Sequence, residues 1–174
     1  MGIAHIIIGV NKYLYFIAIC FMGEITVLTC AFFGTMNADK MDHSVLRMLN
    51  SLISTFIEEN GIKTFCTPAQ TDFDFYVILS ILAFKIKYKD IKVVKILGKK
   101  DKDKAQSPGF DYVYLDSNAY KDRCLHAYRL ADLIVLDSLD NALYEDIKRD
   151  SSEKRKKVTF YDLTELLDIV SCLD

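Results

Sequence analysis

The fold is indicated first by residues 25–40, whose sequence is ITVLTCAFFGTMNADK. Residues 25–33 form a β-rich run that is apolar on both faces, which is typical of a buried strand in a parallel sheet. Gly34 and Thr35 follow in a polar turn, and a long helical pattern begins soon afterwards. A buried strand, a glycine turn and a helix in this order predict the first unit of an α/β domain.

The rest of the chain repeats this alternation. The apolar periodicity predicts further strands over residues 62–67, 91–97, 112–115, 132–136 and 158–161. It predicts helices over residues 42–60, 73–88, 119–131, 139–150 and 163–173. Helices of this length between strands imply parallel strands joined by right-handed crossovers. The predicted fold class is therefore α/β, a Rossmann-like three-layer sandwich with a mostly parallel sheet, in a single domain over residues 22–174.

Residues 1–21 differ from this domain because they form an apolar extension, interrupted by His5, Asn11 and Lys12. Three interpretations stay open. In the first, Met22 is the natural start and the upstream residues come from an over-extended gene boundary. In the second, residues 3–21 are a membrane anchor. In the third, they form an additional buried helix. The apolar run is about as long as a bilayer-spanning helix, which needs roughly 20 residues. A secretory signal fits poorly, since no small-x-small cleavage site follows.

Composition excludes several classes of protein. The net charge is -2 and the isoelectric point is about 5.9, so general nucleic-acid binding is not expected. The chain has 5 cysteines and 3 histidines, and no two cysteines have CxxC spacing, so we expect no zinc site, no other metal and no cofactor. Unpaired core cysteines favour a reducing cytoplasm, the alternative being a membrane-anchored location through residues 3–21.

In such sheets a ligand binds beyond the carboxyl ends of the strands. The residues that follow the predicted strands are 34–36 after the first, 67–74 after the second, 98–100 after the third and 137–141 after the fourth. Met36 lies where a phosphate-binding loop usually offers a charge, a hydroxyl group or another glycine. The first turn therefore has the shape of a ligand loop with an altered chemistry.

The order of these segments resembles the SLOG superfamily of Rossmann-like proteins, in particular its bacterial YpsA-like branch, over about residues 25–165. In that branch the first strand ends in Thr-Gly-His-Arg, and the second in Ser-Gly-x-x-x-Gly-x-Asp. Gly34 is retained, while Thr35 and Met36 stand where His and Arg are common. Thr67 stands for the serine of the second motif and Asp74 for its aspartate. The resemblance implies that these five residues face a ligand.

Two later positions also match the branch. Arg123 corresponds to an arginine that precedes its late helix, and Asp137 ends a strand that corresponds to its Ser-Asp strand. The Gly-Gly-Thr turn of the branch is absent, and residues 140–142 are Asp-Asn-Ala instead. The resemblance implies that Arg123 and Asp137 complete the ligand-binding set.

The departures from the branch have a physical meaning. Pro68 and Asp72 replace the two glycines of the second motif. Proline lacks the backbone N–H that would bind a phosphate oxygen. Thr71 or Asp72 opens the following helix. Asp72 either brings a negative charge to the place of an anion or simply caps that helix, and capping is the interpretation we favour.

Three functions follow as hypotheses. The first is non-catalytic or sensory binding of a nucleotide or a nucleotide-derived small molecule. The second is hydrolysis or transfer at a nucleoside N-glycosidic bond through the paired carboxylates of Asp74 and Asp137. The superfamily includes phosphoribohydrolases, but their Pro-Gly-Gly-x-Gly-Thr-x-x-Glu loop is absent here. The simpler interpretation of the two carboxylates is that Asp74 caps a helix and that Asp137 ends a strand at the surface. The third is a scaffold for self-association, possible as a homodimer through the apolar helix 73–88.

Overall fold

The computed structural model describes residues 28–103, 106–137, 141–154, 158–163 and 165–166. Its strands are β1 (Thr29–Gly34), β2 (Thr64–Thr67), β3 (Lys92–Gly98), β4 (Asp111–Leu115), β5 (Leu133–Asp137) and β6 (Thr159–Asp162). Its α-helices are α1 (His43–Glu58), α2 (Asp72–Lys87), α3 (Tyr120–Leu130) and α4 (Asn141–Lys154). Single 3-10 turns lie at Ala38–Lys40 and Lys99–Asp101.

The six strands form one sheet in the order β4-β3-β2-β1-β5-β6, and every pair of neighbouring strands is parallel. The chain builds the sheet outward from β1 to β4 and then returns to the other side of β1 with β5. The boundary between β1 and β5 is therefore the topological switch point of the sheet. The predicted Rossmann-like α/β fold in one domain is confirmed for the residues that the structure describes.

Helices cover both faces of the sheet and make two separate cores. Buried side chains of α1 and α2 pack on one face, and those of α3 and α4 pack on the other. Strand β1 contributes to both cores, because Cys30 and Phe32 point to the first and Ala31 and Phe33 to the second. This double burial explains why the first strand shows no polar alternation in the sequence.

Local capping fixes the start of the two helices on the first face. The Asp42 carboxylate accepts hydrogen bonds from the N–H groups of Ser44 and Val45 at the start of α1. Thr71 caps α2 and forms a reciprocal capping box with Asp74. The expectation that Asp72 caps this helix is wrong, because the Thr71 hydroxyl accepts the Asp74 N–H and Asp72 is already the first helical residue.

Some predicted segments lie partly or wholly outside the described residues. These are the extension 1–21, residues 25–27 of the first predicted strand and most of the predicted helix 163–173. The described part of the first strand begins at Thr29. Within the described ranges, no helix has the length and apolar character needed to cross a membrane.

At the switch point β1 and β5 approach each other unusually closely. Gly34 is paired in register with Asp137. A Cβ atom at Gly34 would lie 2.7 Å from both the Cβ and the carbonyl oxygen of Asp137, and 3.0 Å from Cδ1 of Phe73. Glycine is therefore required here by the neighbouring strand and the α2 side chain.

We expect Gly34→Ala to lower the free energy of unfolding by about 1–3 kcal/mol, because the added methyl group must push apart two packed backbones. The measurement is urea unfolding followed by circular dichroism. The matched control is Thr35→Ala at the next, exposed position, which should stay within about 0.5 kcal/mol of the unmodified protein. Equal stability of the two variants would contradict the proposed steric role of the glycine.

Candidate functional site

The turn after β1 is bonded to the protein's own oxygen atoms. The Thr35 N–H donates to the backbone carbonyl of Asp137 at 3.2 Å, and the Met36 N–H donates to Oδ2 of the same residue at 3.0 Å. Asp137 is fully buried, which corrects the expectation that it ends a strand at the surface. Its carboxylate holds the turn in the way that a bound anion would.

Two further donors of this turn, the N–H groups of Gly34 and Ala38, have partners as well. Gly34 and the Tyr120 hydroxyl bond in both directions, since the Gly34 N–H donates to Oη at 3.0 Å and the hydroxyl donates to the Gly34 carbonyl at 2.7 Å. The Ala38 N–H donates to Oδ2 of Asp72 at 3.0 Å. Asp72 therefore ties the turn to the start of α2.

The turn after β2 follows the same scheme with a different carboxylate. Pro68 has no N–H group, and the N–H groups of Gln70 and Thr71 donate to Oδ2 of Asp74 at 2.9 and 3.1 Å. Ala69 has a φ of 52°, in the left-handed region that residues with a Cβ seldom adopt. Both turns that would hold a phosphate are thus filled by side chains of the protein.

Burial dominates the electrostatics around Asp74. The side chain is inaccessible to solvent, and this burial raises its pKa from 3.8 to about 6, against the lowering effect of the N–H groups of Gln70 and Thr71. Burial also raises the pKa of Tyr120 and of the Cys124 thiol, and the nearby charge of Asp74 adds to both shifts. The Tyr120 hydroxyl and the Cys124 thiol therefore keep their protons near neutral pH, whereas Asp74 is largely ionised there.

An open cavity of about 410 Å³ lies beside these turns, at the carboxyl ends of β3 and β4. It is lined by Ala69, Gln70, Lys95, Leu97, Asp101, Gln106, Ser107, Tyr112, Tyr114 and Arg123. The register pairs Lys95 with Tyr112 and Leu97 with Tyr114, so these side chains share one face of the sheet. Helix α2 packs on β1 and β2 and leaves the same face of β3 and β4 to the cavity. The chain between β3 and β4 borders this part of the face.

The aromatic side of the cavity consists of two tyrosines whose hydroxyl groups are hydrogen-bonded. The rings of Tyr112 and Tyr114 are stacked, with centroids 6.2 Å apart and an interplanar angle of 14°. The Tyr112 hydroxyl accepts the Ser107 N–H at 2.8 Å, and the Tyr114 hydroxyl accepts from the Gln106 amide at 2.9 Å. These bonds hold the two rings in place before any ligand arrives.

The charged side of the cavity contains two cations and one carboxylate. Arg123 is buried, and its guanidinium bonds Asp101 at 3.1 Å and the Pro68 carbonyl at 3.4 Å. The Arg123 Nε is buried without a partner among the described residues. The Lys95 ammonium lies 3.6 Å from the centroid of the Phe110 ring, and burial lowers the pKa of this lysine.

The predicted site residues fall into three places. Gly34, Thr35, Met36 and Asp137 are brought together at the switch point. Thr67 and Asp74 lie at the end of β2 and the start of α2. Arg123 lines the cavity. The ligand-binding role of all seven residues stays a prediction.

The paired carboxylates of the enzymatic hypothesis do not line the cavity. Asp74 and Asp137 are both fully buried, and each accepts backbone N–H groups of a turn. Among the residues that the structure describes, no three His, Cys, Asp or Glu side chains are grouped as metal ligands would be.

Sequence reasoning missed the cavity residues on β3 and β4. Lys95, Tyr112 and Tyr114 precede the strand ends on which the predictions concentrated. The available signal was the spacing of two tyrosines by two residues in a short strand, which places both rings on one face.

Comparisons with known proteins add only distant structural similarities. No protein-family model matches the chain, and no curated protein matches it. The X-ray structure of TM1055, a structural genomics target, has a TM-score of 0.47 and 11% sequence identity, covering 83% of this chain and 98% of that one. The molybdenum cofactor binding protein from the phototrophic bacterium Rippkaea orientalis has a TM-score of 0.43 and 10% identity, covering 86% of this chain and 99% of that one. Similarities of this size carry no information about the ligand or activity of this chain.

We expect Asp74 to make the protein less stable as pH rises from about 4 to about 7. The pKa of Asp74 is about 6 in the folded chain and 3.8 in the ordinary, unfolded state. As pH rises, the unfolded chain therefore loses this proton at a lower pH than the folded chain does. Ionisation favours unfolding by on the order of 2–3 kcal/mol across this window. Asp74→Asn keeps an oxygen for the two N–H donors and removes the titration. Urea unfolding at several pH values should show a fall in stability that is smaller in Asp74→Asn, and parallel curves would contradict the shifted pKa.

Proposed function

We propose that this protein binds a nucleotide or a nucleotide-derived small molecule, as a sensory or carrier module that does not transform it, in the cavity beside Lys95 and Arg123. The observation that supports this most is the pair of stacked tyrosines at the ligand edge of a Rossmann-like sheet, next to two cationic side chains. An aromatic base can stack on a fixed tyrosine surface, a contact worth roughly 1–3 kcal/mol per base.

The charge of the cavity favours a ligand with negative character. Arg123 is paired with Asp101. Lys95 has no carboxylate partner among the described residues and is held over the Phe110 ring. A partly buried ammonium without an ion pair is a favourable place for an anionic or electron-rich group of a ligand.

The absence of transformation follows from the positions of the carboxylates. Asp74 and Asp137 lie outside the cavity lining, and their oxygens accept backbone N–H groups. Among the described lining residues Asp101 is the one carboxylate, and it is bonded to Arg123 and to the Gly98 N–H. A general base has to reach the proton that it abstracts, and none of these three groups is free to do so in this arrangement.

We expect a thermal-shift screen with free bases, adenosine, AMP, cyclic nucleotides, NAD and ADP-ribose to find at least one stabilising ligand. A ligand at about 100 times its Kd stabilises the folded state by about 2.7 kcal/mol. Lys95→Gln should weaken this stabilisation, while Lys92→Gln, an exposed lysine on the same strand, should not. Release of free base from a nucleoside monophosphate, abolished in Asp74→Asn, would contradict the non-catalytic proposal and support the hydrolase.

Self-association is a second candidate function, favoured by the outer face of α2. Phe75, Leu79 and Ile86 are 57%, 46% and 74% exposed. Their spacing of four and seven residues places them along one side of the helix. A continuous apolar stripe on a helix surface is typical of a surface that contacts another protein, here a second copy of the chain.

We expect light scattering after size-exclusion chromatography to show a homodimer whose fraction rises with concentration. Changing Leu79 and Ile86 together to Lys should give a monomer, because two charges would be placed in the apolar contact. The control is Asn50→Lys on the exposed side of α1, which should leave the dimer unchanged. A monomer at every concentration would exclude this function for the stripe.

A further inference from the structure

We infer that the cavity beside Lys95 selects a planar ring that carries one negative charge and no phosphate group. This inference rests on the proposed function, because it names the class of nucleotide-derived molecule that the same cavity takes. Three features of the described residues support it, namely the occupied turns, the charge of the lining, which includes the buried Arg123, and the tyrosine surface.

The occupied turns argue against a phosphate group. In Rossmann-like sheets the phosphate binds to free N–H groups at a turn and a helix start. Here the Met36 N–H is taken by Asp137, and the N–H groups of Gln70 and Thr71 are taken by Asp74. A phosphate at either turn would have to displace a carboxylate of the protein or lie beside it.

The charge of the cavity lining matches a single negative charge. Among the described residues, two cations, Lys95 and Arg123, and one carboxylate, Asp101, line the cavity, and this part of the lining has one positive charge in excess. A monoanion compensates this excess, whereas a phosphate monoester brings close to two negative charges at neutral pH.

Arg123 adds a buried cation to the cavity lining. This side chain is 6% exposed, and its guanidinium bonds Asp101 and the Pro68 carbonyl. These bonds hold the cation in place at the cavity wall without a ligand.

The tyrosine surface sets the planar shape of the ligand. Tyr112 and Tyr114 present nearly parallel rings, and both hydroxyl groups are fixed by hydrogen bonds to the chain before β4. Lys95 is the register partner of Tyr112, and its ammonium lies over the Phe110 ring, whose centroid is 6.3 Å from that of Tyr112. A flat ring on the tyrosines therefore brings an attached carboxylate or a ring oxyanion within reach of Lys95.

The experiment compares ligands that share a ring and differ in charge. Isothermal titration calorimetry at neutral pH with the full chain uses uracil, orotate and uridine monophosphate, and then hypoxanthine, urate and inosine monophosphate. In at least one series we expect the singly charged, phosphate-free member, orotate or urate, to bind at least about tenfold more tightly than the other two, a difference of one decade in Kd. Lys95→Gln should reduce this preference, and Lys92→Gln should keep it.

The outcomes separate this inference from the proposed function. If the monophosphates bind most tightly, the selection against phosphate is wrong and the nucleotide-binding function stands. If no member of either series binds and the wider nucleotide screen is also negative, both are wrong. If the preference for the monoanion persists in Lys95→Gln and in a second variant, Lys95→Met, while both remain folded by circular dichroism, the assignment of Lys95 is overturned.

Discussion

The contact between Asp137 and the turn after β1 sets the form of the whole ligand edge. Its carbonyl and carboxylate take two consecutive N–H groups, and Gly34 lets the two strands close together. This contact occupies the switch point, where open α/β sheets usually bind their ligands. The open space at this edge lies two strands away, over β3 and β4, where the described helices leave one face of the sheet uncovered. The switch point is thus closed by the protein's own groups, and the open cavity lies over β3 and β4 instead.

The buried carboxylates serve a structural purpose that a bound anion serves elsewhere. Burying a charge is costly unless donors surround it, and each of these carboxylates has donors from a turn. Asp137 and Asp74 therefore keep two turns ordered without a ligand. A carboxylate of the protein takes the place of a bound phosphate in these turns. Pro68 is tolerated for this reason, because the N–H group that it lacks is not needed to hold a phosphate.

Much of the fold could be predicted from local sequence signals, and little of the site could. Apolar runs and helical spacing identify every described strand and helix, because burial against a neighbouring layer leaves a periodic pattern. The sequence leaves two candidate caps for α2, because Thr71 and Asp72 are both good caps. Only the reciprocal bonds between Thr71 and Asp74 decide between them. The partner of the Met36 N–H lies 101 residues away, which no local pattern reveals. The tyrosine pair was overlooked because its meaning depends on the strand register, which is a tertiary property.

The position of β4 at the edge of the sheet has a consequence for dynamics. Among the described strands it pairs with β3 alone, so within this part of the chain its backbone bonds are protected on one side. It also carries both tyrosines that border the cavity. A ligand resting on those rings would bridge β4 to Arg123 on α3, and occupancy would be coupled to local opening of the edge. A higher ligand concentration would then slow amide hydrogen exchange in β4, with no rearrangement of the two cores.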